Sequence, residues 1–335
     1  MATTRRAVLR VLAVGAVGLL LSAPLILASA ATEVAFSIRD PRITESSGLV
    51  RDTKLDLYWT VNDSEEEGTA YGIDSDGNVE GIVGFRAQPQ DVEAVAMSGR
   101  RLYIADIGDN RAKRDFVTVY WLNDPEPDNK TVSYRSYDFR YPDGAHDAET
   151  LLVKNGRLYL VTKELGGGIY RAPKEPSRSG VNKLTRVADA PAFVTDGVFL
   201  PGGDRIALRT YVSVEVLDAD SYATVARAES PYLKQGESVS LALKGSSLLL
   251  GSEGRRSPVV EMAVPTSMAD TPSSGGTPPP SSTPTPPTPS VDAAQEPEPV
   301  DEPAQPTARR VGTTLALALA GLVALVAGVV VAARR

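Results

Sequence analysis

The sequence has no cysteine and only one histidine among its 335 residues. The absence of cysteine excludes disulfide bonds, thiolate catalysis, cysteine-ligated zinc and iron–sulfur clusters. A single histidine excludes any site built from several imidazoles. Basic residues are also in the minority, because 35 Lys and Arg stand against 42 Asp and Glu, for a net charge of −7. Nucleic acid is therefore not expected as a partner, since its binding needs a concentrated basic face.

The N-terminal segment carries charge only at Arg5, Arg6 and Arg10, ahead of an apolar run over residues 11–27 and the small residues 28–30. This order is typical of a signal peptide, so we expect residues 1–31 to be a signal peptide cleaved after residue 30 or 31. Adjacent Arg5 and Arg6 fit a twin-arginine export signal. They also fit an ordinary secretory signal, and the sequence leaves both open.

The C-terminal segment contains 23 residues without charge, 311–333, between two pairs of arginines. As a helix this run would be about 34 Å long, enough for a hydrocarbon core of about 30 Å. We therefore expect a single transmembrane helix within residues 309–335, with the terminal arginines on the cytoplasmic side. A buried soluble helix is the alternative, and it is disfavoured because nothing amphipathic surrounds the run.

A segment rich in proline, threonine and serine, residues 266–308, precedes this apolar run. Such a composition buries little apolar surface and favours extended chain, with a reach of at most about 130 Å. The prediction is a disordered stalk that lifts a folded domain, residues 32–265, off the outer side of a membrane.

An internal repeat dominates residues 32–265. Long helical periodicity is absent, and short β-rich runs alternate with turn residues, which indicates an all-β fold. Five times an acidic residue begins an apolar strand that is followed by a turn and a second apolar strand, with spacings of 48, 56, 47 and 41 residues. These spacings are typical of propeller blades, so we predict a five-bladed β-propeller, with six blades as the alternative and a β-sandwich as the runner-up. The five acids are Glu45, Glu93, Glu149, Asp196 and Glu237.

Turn residues support the same blade pattern. Dipeptides containing glycine at 98–99, 155–156, 202–203 and 244–245 predict tight hairpins between first and second strands. In the second blade, residues 117–122 and 132–139 are interpreted as the third and fourth strands. Residues 34–38 precede the first acid and are expected to supply the outer strand that closes the last blade.

Four segments resemble a family of secreted bacterial β-propeller proteins that is common in actinobacteria and mostly uncharacterised. They are Tyr103-Ile-Ala-Asp-Ile-Gly-Asp-Asn-Arg111, Val117-Thr-Val-Tyr120, Tyr141-Pro-Asp-Gly-Ala-His-Asp-Ala-Glu149 and Leu158-Tyr-Leu-Val-Thr-Lys-Glu164. The resemblance covers about residues 40–265 and implies the fold and an exported location, but little about activity. More loosely, one acid per blade around five blades is similar in topology to the calcium-activated nucleotidases, whose longer motifs are absent.

The five acids are predicted to share one rim of the central channel, because the first strand of each propeller blade lines the channel. Carboxylates so placed repel one another unless something neutralises them. One solution is a hard cation such as calcium, which takes six to eight oxygen ligands in loose geometry. The other is structural pairing, with backbone N–H groups or with Lys163, Arg209 or Arg255. Both solutions remain open from the sequence.

Further candidate residues follow the second strands, whose ends share a face with the starts of the first strands. We call this the top face. Residues 106–111 form an Asp, Gly and Asn-rich turn that fits a metal or ligand site and equally fits a structural turn, but lacks EF-hand spacing. His146 is a candidate general base, although no Gly-x-Ser-x-Gly motif accompanies it. The candidate ligand-binding residues are Asp63, Asp106, Asp109, Asn110, Arg111, His146, Lys163, Glu164, Arg209, Glu253 and Arg255.

Two functions fit these features. The first is a surface-anchored binding module that uses its top face, with calcium in the channel as an optional component. The alternative is a metal-dependent hydrolase of phosphorylated or ester substrates, in which Lys163, Arg209 and Arg255 would meet the anion. The sequence identifies no catalytic residue, and the ligand is not determined by it.

Overall fold

A computed structural model of the protein describes residues 33–268. The expected signal peptide, most of the expected stalk and the expected transmembrane helix lie outside these residues, so those interpretations stay predictions. Within the described range, no helix combines the length and the apolar character needed to cross a membrane. The described chain consists of 22 strands and their connections.

The strands form five sheets arranged as the blades of a propeller, which confirms the predicted all-β, five-bladed fold. The first eleven strands in chain order are β1 Val34–Ser37, β2 Ser46–Asp52, β3 Leu57–Asn62, β4 Gly68–Ile73, β5 Val79–Phe85, β6 Val92–Ser98, β7 Arg101–Asp106, β8 Val117–Asn123, β9 Lys130–Val132, β10 Arg135–Arg140 and β11 Ala148–Lys154. The remaining eleven are β12 Arg157–Thr162, β13 Gly168–Arg171, β14 Asn182–Lys183, β15 Thr185–Asp189, β16 Val194–Phe199, β17 Arg205–Thr210, β18 Ser213–Asp218, β19 Thr224–Glu229, β20 Gly236–Leu241, β21 Leu248–Ser252 and β22 Pro258–Met262.

Blades 1 to 5 begin at the axis with β2, β6, β11, β16 and β20, respectively. Each of these innermost strands packs beside the next, and β20 packs beside β2, so the ring is closed. From each innermost strand the chain runs outward through antiparallel neighbours. The starts of all five innermost strands consequently meet at the top face.

The hydrophobic core lies between neighbouring blades. Alternate side chains of a strand point to opposite faces of its sheet, and both faces of a blade are covered. In β3, Trp59 packs toward blade 2 with Ile104, whereas its neighbour Tyr58 packs toward blade 5 with Leu249. This double burial explains why the second strand of a blade, such as β3, carries consecutive apolar residues.

The ring is closed by the N-terminal strand, as expected for residues 34–38. β1 pairs antiparallel with β22 and becomes the outer strand of blade 5. Phe36 and Ile38 are buried at 6% and 2% exposure in the core between blades 5 and 1. The first and last parts of the domain are therefore held together by one sheet.

The fourth strand predicted over residues 132–139 is confirmed as β10, which pairs with β8 of blade 2 but begins only at Arg135. The residues just before it form β9, which instead pairs parallel with β5 of blade 1. In the same way, β14 pairs parallel with β10 of blade 2 before the chain completes blade 3. Each crossing segment lies along the outer strand of the preceding blade, and so covers a sheet edge that would otherwise be unpaired.

Candidate functional site

The five repeated acids lie at the top face, at the heads of the innermost strands. Glu45 immediately precedes β2, and the other four are among the first three residues of their strands. All five innermost strands carry a β-bulge near this end. The bulge falls on the acid itself at Glu93, Glu149 and Glu237, but on Thr195 in blade 4 and on Gly48 in blade 1.

Backbone hydrogen bonds show that the five repeated acids do not occupy equivalent positions in their blades. The Asp63 N–H donates to the Glu45 carbonyl at 2.9 Å, as the Lys163 N–H donates to the Asp147 carbonyl at 2.9 Å. Glu45 therefore corresponds to Asp147, and in blade 2 to Asp91, whose carbonyl accepts the Gly108 N–H at 3.1 Å. Asp91 and Asp147 were not among the residues predicted from the sequence, although the Asp-x-Glu pattern repeated at 91–93 and 147–149 is a signal that could have identified them.

Asp63, Asp91 and Glu93 form a carboxylate cluster, with one oxygen of each lying within 4.8 Å of the others. Asp63 follows β3 in blade 1, whereas the other two begin blade 2. Burial and the neighbouring Asp91 carboxyl raise the pKa of Asp63 to about 9. Glu93 is 8% exposed. Burial, followed by the charges of Glu149 and Asp63, raises its pKa well above the usual range.

Lys163 is the cation that faces two further acids of the rim, Glu149 and Glu237. Its Nζ lies 2.6 Å from a Glu149 oxygen and 4.0 Å from a Glu237 oxygen. Burial acts to lower the pKa of Lys163, but the two carboxylates outweigh it and raise the value. Burial raises the pKa of Glu149 to about 8 even though Lys163 opposes the shift. The single positive charge of Lys163 is thus shared between two carboxyl groups.

Asp196 and Arg209 have structural surroundings. Asp196 is 2% exposed and accepts the backbone N–H groups of Gly197 at 2.7 Å and Val239 at 2.8 Å. Arg209 is 1% exposed and donates to the carbonyls of Ser238, at 2.7 Å, and Gly251. Burial lowers its pKa to about 10. Both side chains join blade 4 to blade 5.

The 106–111 turn is stabilised internally. Asp106 pairs with Arg114 at 2.7 Å and accepts the Asp91 N–H at 3.1 Å. Asp109 accepts the N–H groups of Lys113 and Arg114, both at 2.6 Å. The two exposed members of the turn are Asn110 and Arg111.

His146 has partners on both ring nitrogens. Nδ1 lies 3.1 Å from a Glu164 carboxylate oxygen, and Nε2 lies 3.0 Å from Asp143 and 3.1 Å from the Tyr170 hydroxyl. A general base needs a ring nitrogen that faces the substrate proton. In this arrangement both ring nitrogens face groups of the protein, and the imidazole holds Glu164, Asp143 and Tyr170 in position.

The three cations expected to meet an anionic substrate have different environments. Lys163 is paired with Glu149, and Arg209 is enclosed between blades. Arg255 is exposed and forms no ion pair within the described residues. Beside it, burial and the charges of Glu237 and Glu45 raise the pKa of Glu253 to about 7. Two of the three cations, Lys163 and Arg209, are thus already engaged by other groups of the protein.

Apolar side chains also project from top-face loops, and none of them was predicted from the sequence. Among the described residues, the three most exposed large apolar side chains are Tyr232 at 93%, Leu165 at 82% and Val212 at 66%. Tyr211, beside Val212, is 47% exposed, and its ring centroid lies 5.3 Å from the Lys163 Nζ. We call these four residues the apolar rim. Single apolar residues in loops carry no periodic signal, which is why only the folded chain reveals them.

No protein-family model matches the chain, and no curated protein matches it in sequence. The propeller domain of Myceliophteria thermophila Cps50 (Swd1) is 15% identical with a TM-score of 0.39, over 66% of this chain and 65% of that chain. A chain of a nidogen/laminin complex is 14% identical with a TM-score of 0.43, over 64% of this chain and 74% of that chain. A Dos1 propeller is 12% identical with a TM-score of 0.37, over 65% of this chain and 59% of that chain. The aligned region thus spans under two thirds of the Cps50 and Dos1 chains, and these likenesses concern the propeller fold alone.

Proposed function

We propose that the domain is a binding module, displayed on the outer side of a membrane, that takes a peptide segment of a partner protein on its top face. The observation that carries the proposal is the apolar rim beside an excess of carboxylates. Large exposed apolar side chains that gather on one face of a soluble domain mark interaction surfaces. Tyrosine in particular is enriched among the residues that dominate binding energy.

The apolar rim is held by the scaffold. Leu165 lies in the loop after β12, and Tyr211 and Val212 lie in the loop after β17, so neighbouring blades 3 and 4 present them. The Ser230 N–H donates to the Val212 carbonyl at 2.9 Å, which fixes the Tyr232 loop beside Val212. A partner that docks here meets an ordered backbone, which lowers the entropy cost of binding.

The charge beside the apolar rim selects the partner. Lys163 faces both Glu149 and Glu237, and Glu253 adds a further carboxyl to the same region. Charge complementarity therefore favours a segment that combines lysine or arginine with aromatic or aliphatic residues. The hydrolase alternative receives no comparable support, because two of the cations it requires, Lys163 and Arg209, are already engaged by other groups of the protein.

A peptide-display selection on a chain of residues 32–268 tests this function. This fragment holds all five blades, their cores and the closing strand, and so is self-contained. Selected peptides are expected to be enriched in basic and aromatic residues and to bind more weakly at high salt. Tyr232→Ser combined with Val212→Ser should weaken binding at least about tenfold.

Val225→Ser is the matched control, because Val225 is 41% exposed on the outer strand of blade 4, away from the top face. This variant is expected to bind like the native chain. Selected peptides that lack basic residues, or equal binding by the variant with both rim substitutions, would contradict the proposed function.

Display on the outer side of the membrane is tested separately by adding protease to whole cells. Cleavage in the expected stalk should release a soluble fragment that contains residues 33–268, because an extended linker is where proteases cut. Release of this fragment only after lysis would contradict the outside location.

A further inference from the structure

We infer that Asp63, Asp91 and Glu93 bind one hard divalent cation of the calcium type between blades 1 and 2. The inference is independent of the proposed peptide surface, which rests on residues of blades 3, 4 and 5. It also differs from the five-acid channel ring expected from the sequence, because two of its three ligands lie outside that ring.

The backbone brings the three carboxylates together. The carbonyl of Asp63 accepts the Val92 N–H at 3.0 Å, and this bond joins the end of the second strand of blade 1 to the first strand of blade 2. One oxygen from each acid lies within 4.8 Å of the other two. Two oxygens bound to the same Ca²⁺ can lie up to about 5 Å apart, so a single ion can contact all three.

The cluster lacks the donors that would make it a closed structural network. Glu93 is 8% exposed, and within residues 33–268 its carboxylate has no hydrogen-bond donor. The Oδ1 atom of Asp63 is buried and also has no partner. The cation that acts on this region, Lys163, is in direct contact with Glu149 instead. Buried carboxylates without donors or counter-charge are costly, and a divalent ion coordinated by their oxygens supplies the counter-charge.

Gly108 shapes the space beside the carboxylates. A Cβ atom at this position would lie 2.5 Å from Asp91 Oδ2 and 2.7 Å from Glu93 Oε1. Any side chain here must therefore displace both oxygens. Gly108→Ala consequently disrupts the proposed site without removing a charge.

The donor set favours calcium over magnesium. Three carboxylates offer up to six oxygens of mixed orientation, which suits the loose geometry of Ca²⁺ better than the strict octahedron of Mg²⁺. Asp63 is only partly buried, so an ion and its completing waters have access from the top face. Extracellular modules of this kind bind calcium with a Kd of about 10⁻⁴–10⁻³ M.

Isothermal titration of CaCl₂ into the chain of residues 32–268 tests the site. One ion per native chain is expected in that range of Kd. Asp91→Asn and Gly108→Ala should each abolish the binding. Glu237→Gln is the matched control, since it removes a top-face acid outside the cluster and should leave binding unchanged. Circular dichroism establishes that each variant is folded, and if either test variant unfolds, Glu93→Gln takes its place.

Three outcomes would overturn the inference. The first is a folded native chain that binds no calcium at about 10⁻² M, well above the expected range. The second is retention of binding in both Asp91→Asn and Gly108→Ala. The third is equal loss of binding in Glu237→Gln, which would place the ion in the channel ring instead. Because no peptide is used, none of these results bears on the proposed top-face partner.

Discussion

At the residue scale, neighbouring acids of one rim have three different environments. Asp196 accepts two backbone N–H groups, Glu149 pairs with Lys163, and Glu93 has no donor among residues 33–268. The side chains are chemically alike, so the difference comes from what the adjacent blade places within reach. The repeat pattern therefore places each acid at the top face, and the hydrogen-bond donors near that acid determine what it does there.

The raised carboxyl pKa values predict that the domain loses stability as the pH rises when no divalent cation is added. The pKa is about 7 for Glu253 and about 8 for Glu149, whereas an unfolded glutamate titrates near about 4.3. Between these values the folded state holds more protons than the unfolded state. The contribution to the free energy of unfolding is therefore full below about pH 4 and is lost as the pH rises toward about 8.

Urea unfolding between about pH 5 and about pH 8 measures this slope. Glu253→Gln should make it shallower, because one of the groups that release a proton is removed. Asp218→Asn is the control: the N–H and hydroxyl of Ser221 lower the pKa of Asp218, so it titrates below this window. A Glu253→Gln variant with the native slope would show that burial of Glu253 does not govern its titration.

At the scale of elements, the bulge of β2 lies at a close approach of blade 1 to blade 2. In β2 the bulged residue is Gly48, at a φ of +73°. A Cβ there would lie 2.8 Å from the Val95 backbone nitrogen, in blade 2. Glycine thus serves two purposes at this position, since it adopts the left-handed conformation and leaves space for the adjacent strand.

Gly48→Ala should therefore destabilise the domain more than Gly99→Ala does. Both glycines have positive φ, at +73° and +60°, so both variants incur a conformational cost of about 1–2 kcal/mol. No atom of the described part of the chain lies within 4 Å of a Cβ at Gly99, whereas Gly48→Ala adds an overpacking cost of about 1–3 kcal/mol. Urea unfolding of both variants checks the difference, and equal losses would show that the blades separate without cost.

At the scale of the whole molecule, closure depends on a short strand from the N-terminal end of the domain. β1 completes blade 5, the Ile38 N–H donates to the Ser257 carbonyl at 2.9 Å, and the Glu261 N–H donates to the Glu33 carbonyl at 3.2 Å. Without these contacts β22 would become an exposed edge, and the core between blades 5 and 1 would be open.

A chain that begins at residue 39 should accordingly be far less stable than one that begins at residue 33. Removal of buried Phe36 and Ile38 costs about 2–5 kcal/mol for each side chain, before the lost strand pairing is counted. That sum is comparable with the whole stability of a typical domain. Thermal unfolding of the two chains provides the measurement, and similar melting temperatures would mean that the ring does not need β1 to close.

Most of the fold follows from the sequence because its signals are local. Apolar runs, hairpin glycines and the spacing of the acids each depend on a few neighbouring residues, and together they fix five blades and the closing strand. The crossing strands β9 and β14 could not be predicted in this way. They pair with the preceding blade, so their partners are distant in sequence and their own residues carry no alternating pattern.

By itself the sequence determined the β-propeller, its blade count and the top face on which polar side chains gather, because alternation and turns act within single blades. The tertiary structure alone decided which carboxylates meet. Asp63 belongs to one blade, and Asp91 and Glu93 belong to the next, so their proximity depends on how two blades pack and on the missing side chain of Gly108. The apolar rim likewise exists only after blades 3 and 4 are side by side. Contacts between blades are set by the packing of whole sheets, which no short stretch of residues encodes.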